Sequence, residues 1–397
     1  MLVPATSEPT VASTPRKSPR RTAAREEAPA AKASPLRELL GQDRAKADLT
    51  SLLLAGRLPP ALIFHGPSGV GKMTCAQIVA SLLLDPEATE DSIRRFAPPQ
   101  GTTISRLLEA GSHPDLHLIA KHRCRDSQVP ELRERKMVNI PVDLLRELMI
   151  GGMAGDQRFE PAVLRTPYLG HGKVFLIDEA EGLDATGQNA LLKTLEEPPP
   201  RTWIVLCVTD RTRLLPTIRS RCHQVPFSPL GEAPMRRWLA DLPPSIPDAE
   251  REWLLGFSEG SPGVAALAIE AGLRRWEESL GGPLAALAED GRIGGFAATM
   301  ADLVKEFAEA QVKADPRASK EAANRLGAQL LLGILARSLR HRLHAAVAAG
   351  DADAAERWAD WIERLDLAER HLEANVNLLH ALADLVAAWA ERSPAAR

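Results

Sequence analysis

The sequence is poor in aromatic residues: eight Phe, seven Trp and a single Tyr among 397 residues. That scarcity argues against a surface on which single-stranded bases stack on aromatic rings. Cysteine is scarcer still. Cys75, Cys124, Cys207 and Cys222 form neither a C-x-x-C pair nor the spaced framework of a secreted disulfide protein, and such usage fits a reducing, cytoplasmic setting. No apolar run reaches the roughly 18 residues that a membrane-spanning helix requires. A surplus of one charge sign is missing too. With a formal net charge of −3, the whole chain has no basic balance that would by itself attract nucleic acid.

What is present is the composition of an ordinary globular chain, 45% hydrophobic and 25% charged. The length exceeds one compact core, since domains usually hold about 100–200 residues, so two or three domains are expected. Residues 1–35 form a Pro/Ala/Arg-rich leader without apolar periodicity. Such a segment buries too little apolar area to offset its ordering entropy and is expected to be disordered. Residues 36–227 alternate short apolar runs with helical stretches. The runs Ala61–His65, 115–119, Lys173–Ile177, 203–208 and 223–227 read as buried parallel strands. The stretches 42–55, Lys72–Leu84, 142–149 and 184–197 read as the helices between them, which makes this region a doubly wound α/β domain. Asp184 is placed to cap the last helix and Pro198-Pro199-Pro200 to end it. Strand signals stop after Phe227: residues 228–275 read as a small helical lid domain and 276–397 as an all-α domain. In the latter, Trp358, Trp361, Ile362 and Leu365 share one helical stripe and Leu378, Leu382, Leu385 and Trp389 another, as core or subunit contacts do.

The first strand runs into Gly66-Pro67-Ser68-Gly69-Val70-Gly71-Lys72, and a helix follows. This is the G-x-x-x-x-G-K phosphate loop in its strand–turn–helix setting. Backbone N–H groups of Ser68, Gly69, Val70 and Gly71 can converge on phosphate oxygens there. The helix N-terminus adds partial positive charge and Lys72 a full one. The next position normally supplies a hydroxyl to Mg²⁺, yet here it is Met73, whose thioether is a poor ligand for a hard cation. Thr74 sits one residue on, turned about 100° around the helix, and does not simply replace it. The third strand ends at Asp178-Glu179, where phosphate-loop enzymes place a metal-binding carboxylate and a carboxylate that polarises water.

With these residues in place the chain resembles AAA+ clamp-loader subunits of bacterial DNA polymerase III, the delta-prime type in particular. The resemblance spans about 36–397 and is carried by 39–42 (LLGQ), the phosphate loop, 111–116 (GSHPDL), 173–180 (KVFLIDEA), 189–199 (NALLKTLEEPP) and 214–222 (LLPTIRSRC). It implies an AAA+ P-loop domain with a parallel sheet, a helical lid and an all-α C-terminal collar that holds a ring together. It implies that Arg221 is an arginine finger offered in trans to a neighbour's ATP, where an always-charged planar fork suits developing phosphoryl charge. Glu179 becomes a vestigial base and Thr209 the residue facing the γ-phosphate. The helix lining a central chamber would carry Lys193 toward a DNA backbone, although one Lys beside Glu196 and Glu197 is little for such contact.

Departures from the motor subunits are equally specific. The lid motif G-S-x-R reads Gly260-Ser261-Pro262-Gly263 here, without its Arg. Of the four zinc-binding cysteines of many relatives, only Cys124 lies within 85–135, so no zinc or other structural metal is expected. His117 and His122 read as surface residues. The expectation is thus a scaffold subunit with a degenerate pocket that admits ATP or ADP and holds Mg²⁺ weakly or not at all. Its implied partners are gamma/tau-type ATPase and delta-type clamp-opening subunits in a hetero-pentamer, with the sliding clamp and primer–template DNA reached through the complex. Action in replication would place it at the nucleoid. The alternative is an active gamma/tau-type motor, favoured by intact Lys72, Asp178 and Glu179. A general remodelling or branch-migration ATPase is poorly served by the 195–198 and 220–222 signatures.

Overall fold

The computed structural model describes residues 38–135, 139–291, 294–316, 318–373 and 376–391. The leader expected at 1–35 lies outside the described residues.

Five apolar runs pair in parallel: β1 (Ala61–His65), β2 (Leu116–Ile119), β5 (Lys173–Ile177), β6 (Thr202–Val208) and β7 (His223–Pro226), in the order β2-β5-β6-β1-β7. The register sets Ile63 beside Leu206, Leu176 beside Val205 and Phe64 beside Val225. Side chains alternate faces along a strand, so the two faces feed two cores. Leu62, Phe64, Val174, Leu176, Val205 and Cys207 enter one, and Ala61, Ile63, Phe175, Ile177, Ile204 and Leu206 the other. The central strands β1, β5 and β6 are buried along both faces and so read as near-continuous apolar runs, whereas the edge strands β2 and β7 are largely half-buried and carry His117, His223 and Gln224. The remaining strands, β3 (Gly152–Ala154) and β4 (Gln157–Phe159), form a small antiparallel hairpin outside that sheet. It follows the stretch expected as a helix at 142–149, which is α-helical only over Val142–Leu145 and continues as a π turn over Arg146–Ile150.

The helix Lys72–Leu84 begins at Gly71, and the helix Ala185–Glu196 begins where Asp184 accepts a hydrogen bond from the Gly187 N–H at 2.7 Å. Beyond β7 the described chain is helical. Glu232–Ala240, Asp248–Phe257 and Pro262–Ala271 form the lid region. The helices Leu273–Asp290, Phe296–Ala314, Lys320–Ala349, Ala352–Glu373 and Leu378–Ala390 follow. The sequence division at 275/276 falls inside the first of these. Both tryptophan stripes are core: Trp361 stacks on Trp389 at 4.8 Å, and the Trp389 indole N–H donates to the Trp361 carbonyl at 3.0 Å. Such rings bury large apolar areas; the Trp389 N–H is satisfied in this way, whereas the buried Trp361 N–H has no hydrogen-bond partner among the described residues. Arg337 ties the lid to these helices, donating to the Trp253 carbonyl at 3.0 Å with its guanidinium 5.7 Å from the Trp253 ring centre. One continuous core therefore runs from a sheet face through the lid into the C-terminal helices. No described helix is long and apolar enough to cross a membrane.

Candidate functional site

Parallel pairing puts the carboxyl ends of β1, β6 and β5 side by side, and open α/β sheets bind ligands in the crevice beyond those ends. The phosphate loop leaves β1, Thr209 follows β6, and Asp178 and Glu179 follow β5. Together with the lid they enclose a cleft of about 830 Å³. Ser68, Gly69, Val70, Gly71, Lys72, Met73, Thr74, Asp178, Glu179 and Thr209 all line it. Gly66 stands behind this wall. A Cβ there would lie 2.2 Å from the Phe227 carbonyl oxygen, and its φ of 147° is one that L side chains rarely adopt.

The cleft's charged groups are turned toward the chain itself. Lys72 is buried, and its Nζ donates to the carbonyls of Gly66 and Pro67, both at 2.6 Å. Burial pushes its ammonium below the ordinary lysine value, against the pull of Glu181, Asp178 and Glu179. Burial and then the Glu179 charge raise the Asp178 carboxyl, whose Oδ1 accepts the Glu179 N–H at 3.0 Å. Glu179 itself has a left-handed backbone (φ 48°) and is ion-paired with Lys121 Nζ at 2.5 Å. The Thr209 N–H donates to Glu181 Oε1 at 2.7 Å.

The lid rests directly on the loop. Ser261 Oγ donates to the Ser68 carbonyl at 2.8 Å and the Gly263 N–H to the Gly69 carbonyl at 3.0 Å. A Cβ on Gly263 would come within 2.5 Å of Gly69 Cα. The position that reads as a missing Arg is therefore one where backbone meets backbone. Trp238, Leu242 and Pro243 add an apolar wall that sequence reasoning missed, because nothing local to 238–243 marks it. Gln42, named in the sequence only as part of the 39–42 segment, supports the loop: its side-chain amide donates to the Val70 carbonyl at 3.1 Å and to the Ser228 carbonyl at 2.7 Å. The glycine loop and Lys72 fit a phosphate group. The donor set is a poor one for a hard cation: Met73 offers sulfur where a hydroxyl would stand, Glu179 is ion-paired with Lys121 and Glu38 with Arg237, and Asp178 and Asp241 are the other carboxylates of the lining.

Arg221 is not part of this cleft. It follows the short helix Pro216–Arg219, and its side chain is 36% exposed. Nη1 donates to the Thr217 carbonyl at 2.9 Å, and Nη2 is ion-paired with Glu196 Oε1 at 2.7 Å. The segment before it hangs on the helix Ala185–Glu196 through buried Gln188, which donates to the Arg213 carbonyl at 3.3 Å and accepts from the Leu215 N–H at 2.8 Å. Lys193 is exposed on the same helix. Among the described residues, no group of three or more His, Cys, Asp or Glu side chains is placed to hold a metal ion. His122 is exposed, whereas His117, expected at the surface, is half-buried and stacked on Phe175 at 4.5 Å. Burial pushes its pKa down to about 4.

Residues 41–231 match the family model described as DNA polymerase III, delta subunit. A DNA polymerase III subunit delta′ of Pseudomonas aeruginosa is 34% identical over 215 residues, which is 54% of this chain and 57% of that protein. A subunit gamma/tau of Mycobacterium tuberculosis is 31% identical over 213 residues, 52% of this chain and 30% of that one. The chain thus spans about half the length of the first of these relatives and less of the second. A gamma subunit-related protein of Thermotoga maritima aligns over 88% of this chain and 99% of its own, at 21% identity and a TM-score of 0.40.

Proposed function

The chain is similar to clamp-loader subunits of the delta-prime kind, and from that premise we propose that it is a scaffold lending Arg221 to the nucleotide of a neighbouring ATPase subunit. In this reading it sits in a five-subunit ring with gamma/tau-type and delta-type subunits. The ring helps load a sliding clamp onto primer–template DNA, and the helices beyond 276 form the collar that closes it. The cleft is a degenerate nucleotide pocket in which Lys72 and the loop N–H groups would hold the phosphates of ATP or ADP. Nucleotide supplies the phosphoryl group of the neighbour's reaction; this chain's residues supply orientation and charge.

One contrast carries the reading. The guanidinium of Arg221 stands at the surface outside its own cleft, while inside the cleft Lys72 bonds loop carbonyls and Met73 takes the hydroxyl's place. The purified chain should turn over ATP negligibly. In the assembled complex, Arg221→Ala should lower hydrolysis at the adjoining site by roughly a thousandfold, the scale of a trans arginine. Wild-type hydrolysis in that variant complex would end the proposal. Lys72, Asp178 and Glu179 line one cleft, so a gamma/tau-type motor is the second reading. It predicts brisk ATP turnover by the chain alone, abolished by Lys72→Ala.

A further inference from the structure

We infer that Glu196 is the positioning residue that holds the Arg221 guanidinium in place for the neighbouring subunit. This inference rests on the trans role proposed for Arg221. A free arginine samples many rotamers, and a fork aimed at a phosphoryl group works only from a narrow set of them. Here two attachments narrow the set: the Thr217 carbonyl on Nη1 at 2.9 Å and the Glu196 carboxylate on Nη2 at 2.7 Å. Both rest on firm supports. Glu196 is the last residue of the helix Ala185–Glu196, anchored in the core by Leu191 and Leu195 and capped at its start by Asp184. Thr217 belongs to Pro216–Arg219, whose approach is pinned by Gln188 on that same helix. Nε is engaged by no described residue, and a guanidinium carries five N–H donors, so donors remain for an incoming anion.

The carboxylate has a second, opposing effect, because it repels the phosphates that Arg221 is to meet. Relative size decides between them. Glu196 is 46% exposed, so water and salt screen its repulsion. A misplacement of about 1 Å, by contrast, costs on the order of a hundredfold in rate. Orientation wins, and Glu196 aids the neighbour's reaction despite its sign.

Glu197 provides the control. It carries the same charge one position on, and among the described residues no hydrogen bond or ion pair joins it to Arg221. The test uses the assembled complex, with the phosphate loops of the other ATPase copies inactivated, and follows single-turnover ATP hydrolysis at the site adjoining this chain. Arg221→Ala should fall about a thousandfold. Glu196→Ala should lower the single-turnover rate constant by up to about fivefold, the most that a partly exposed ion pair of about 1 kcal/mol can contribute to orientation. Glu196→Gln, which keeps the acceptor, should stay within about twofold of wild type, and Glu197→Ala should match it. Adding Glu196→Ala to Arg221→Ala should cost nothing further, which separates lost positioning from lost folding. If Glu196→Ala equals or exceeds wild type while Arg221→Ala is inactive, the positioning role is wrong and the trans role stands. If Arg221→Ala is itself normal, both fall.

Discussion

The cleft and the arginine segment are built from the same sheet and adjacent helices, and each satisfies its cation within the chain, but at different depths: Lys72 is buried and Arg221 is 36% exposed. In the cleft, Lys72, Glu179 and the Thr209 backbone are satisfied by groups of this chain. The lid is laid on the loop through glycine backbones. At the segment 211–221, the polar contacts brace a guanidinium from behind and leave it at the surface. A buried lysine bonds its own loop in the first region, and a partly exposed arginine is ion-paired at the surface in the second.

Alanine substitutions make that comparison quantitative. Gly66→Ala drives a methyl group into the Phe227 carbonyl at a φ reserved for glycine, and should lower unfolding free energy by about 3 kcal/mol in urea titration. Arg221→Ala loses a partly exposed ion pair and should change the same measurement by less than about 1 kcal/mol. Similar losses for the two would erase the distinction between a packed cleft and a presented side chain.

The sheet edge beside the cleft carries a pH signature. His117 has its pKa pushed down to about 4 by burial, opposed by the Asp115 charge. The unfolded chain, with an ordinary value near 6.5, binds the proton first. This group's contribution is therefore fully present above about pH 6.5 and is lost as pH falls through about 4, a swing of up to ~3 kcal/mol. His117→Phe, keeping the stack on Phe175, should flatten stability between those limits. An unchanged slope would show that the ring is not the group titrating.

A smaller effect is expected at position 73. Met73→Thr restores a hydroxyl to the cleft wall and should strengthen Mg²⁺-dependent nucleotide binding by about tenfold, ~1.4 kcal/mol, in calorimetry. No change would show that position 73 does not limit Mg²⁺-dependent binding in this cleft.

The central strands were legible because burial on both faces leaves a near-continuous apolar run, with His65, Lys173 and Thr202 at the ends. Expected and observed bounds differ by a residue at most. The hairpin at 152–159 was missed, although the two-residue Gly155-Asp156 turn is a recognised signal. The strands there are too short to show alternation. The π turn at 146–150 also escaped, since a helix of either pitch shows similar apolar spacing over so few residues.

By itself, the sequence determined the five strands of the parallel sheet and the helices that follow Gly71 and Asp184, that a glycine loop ending in Lys72 follows the first strand, and that Met73 stands where oxygen would. These are local properties, set by side-chain chemistry and by spacing along one stretch of chain. Tertiary structure alone decided that Gly263 lies on Gly69, that Lys121 occupies Glu179, and that Glu196 braces Arg221. Each of those contacts joins residues far apart along the chain or at the ends of separate elements. Their geometry depends on how packed layers meet, which periodicity does not encode.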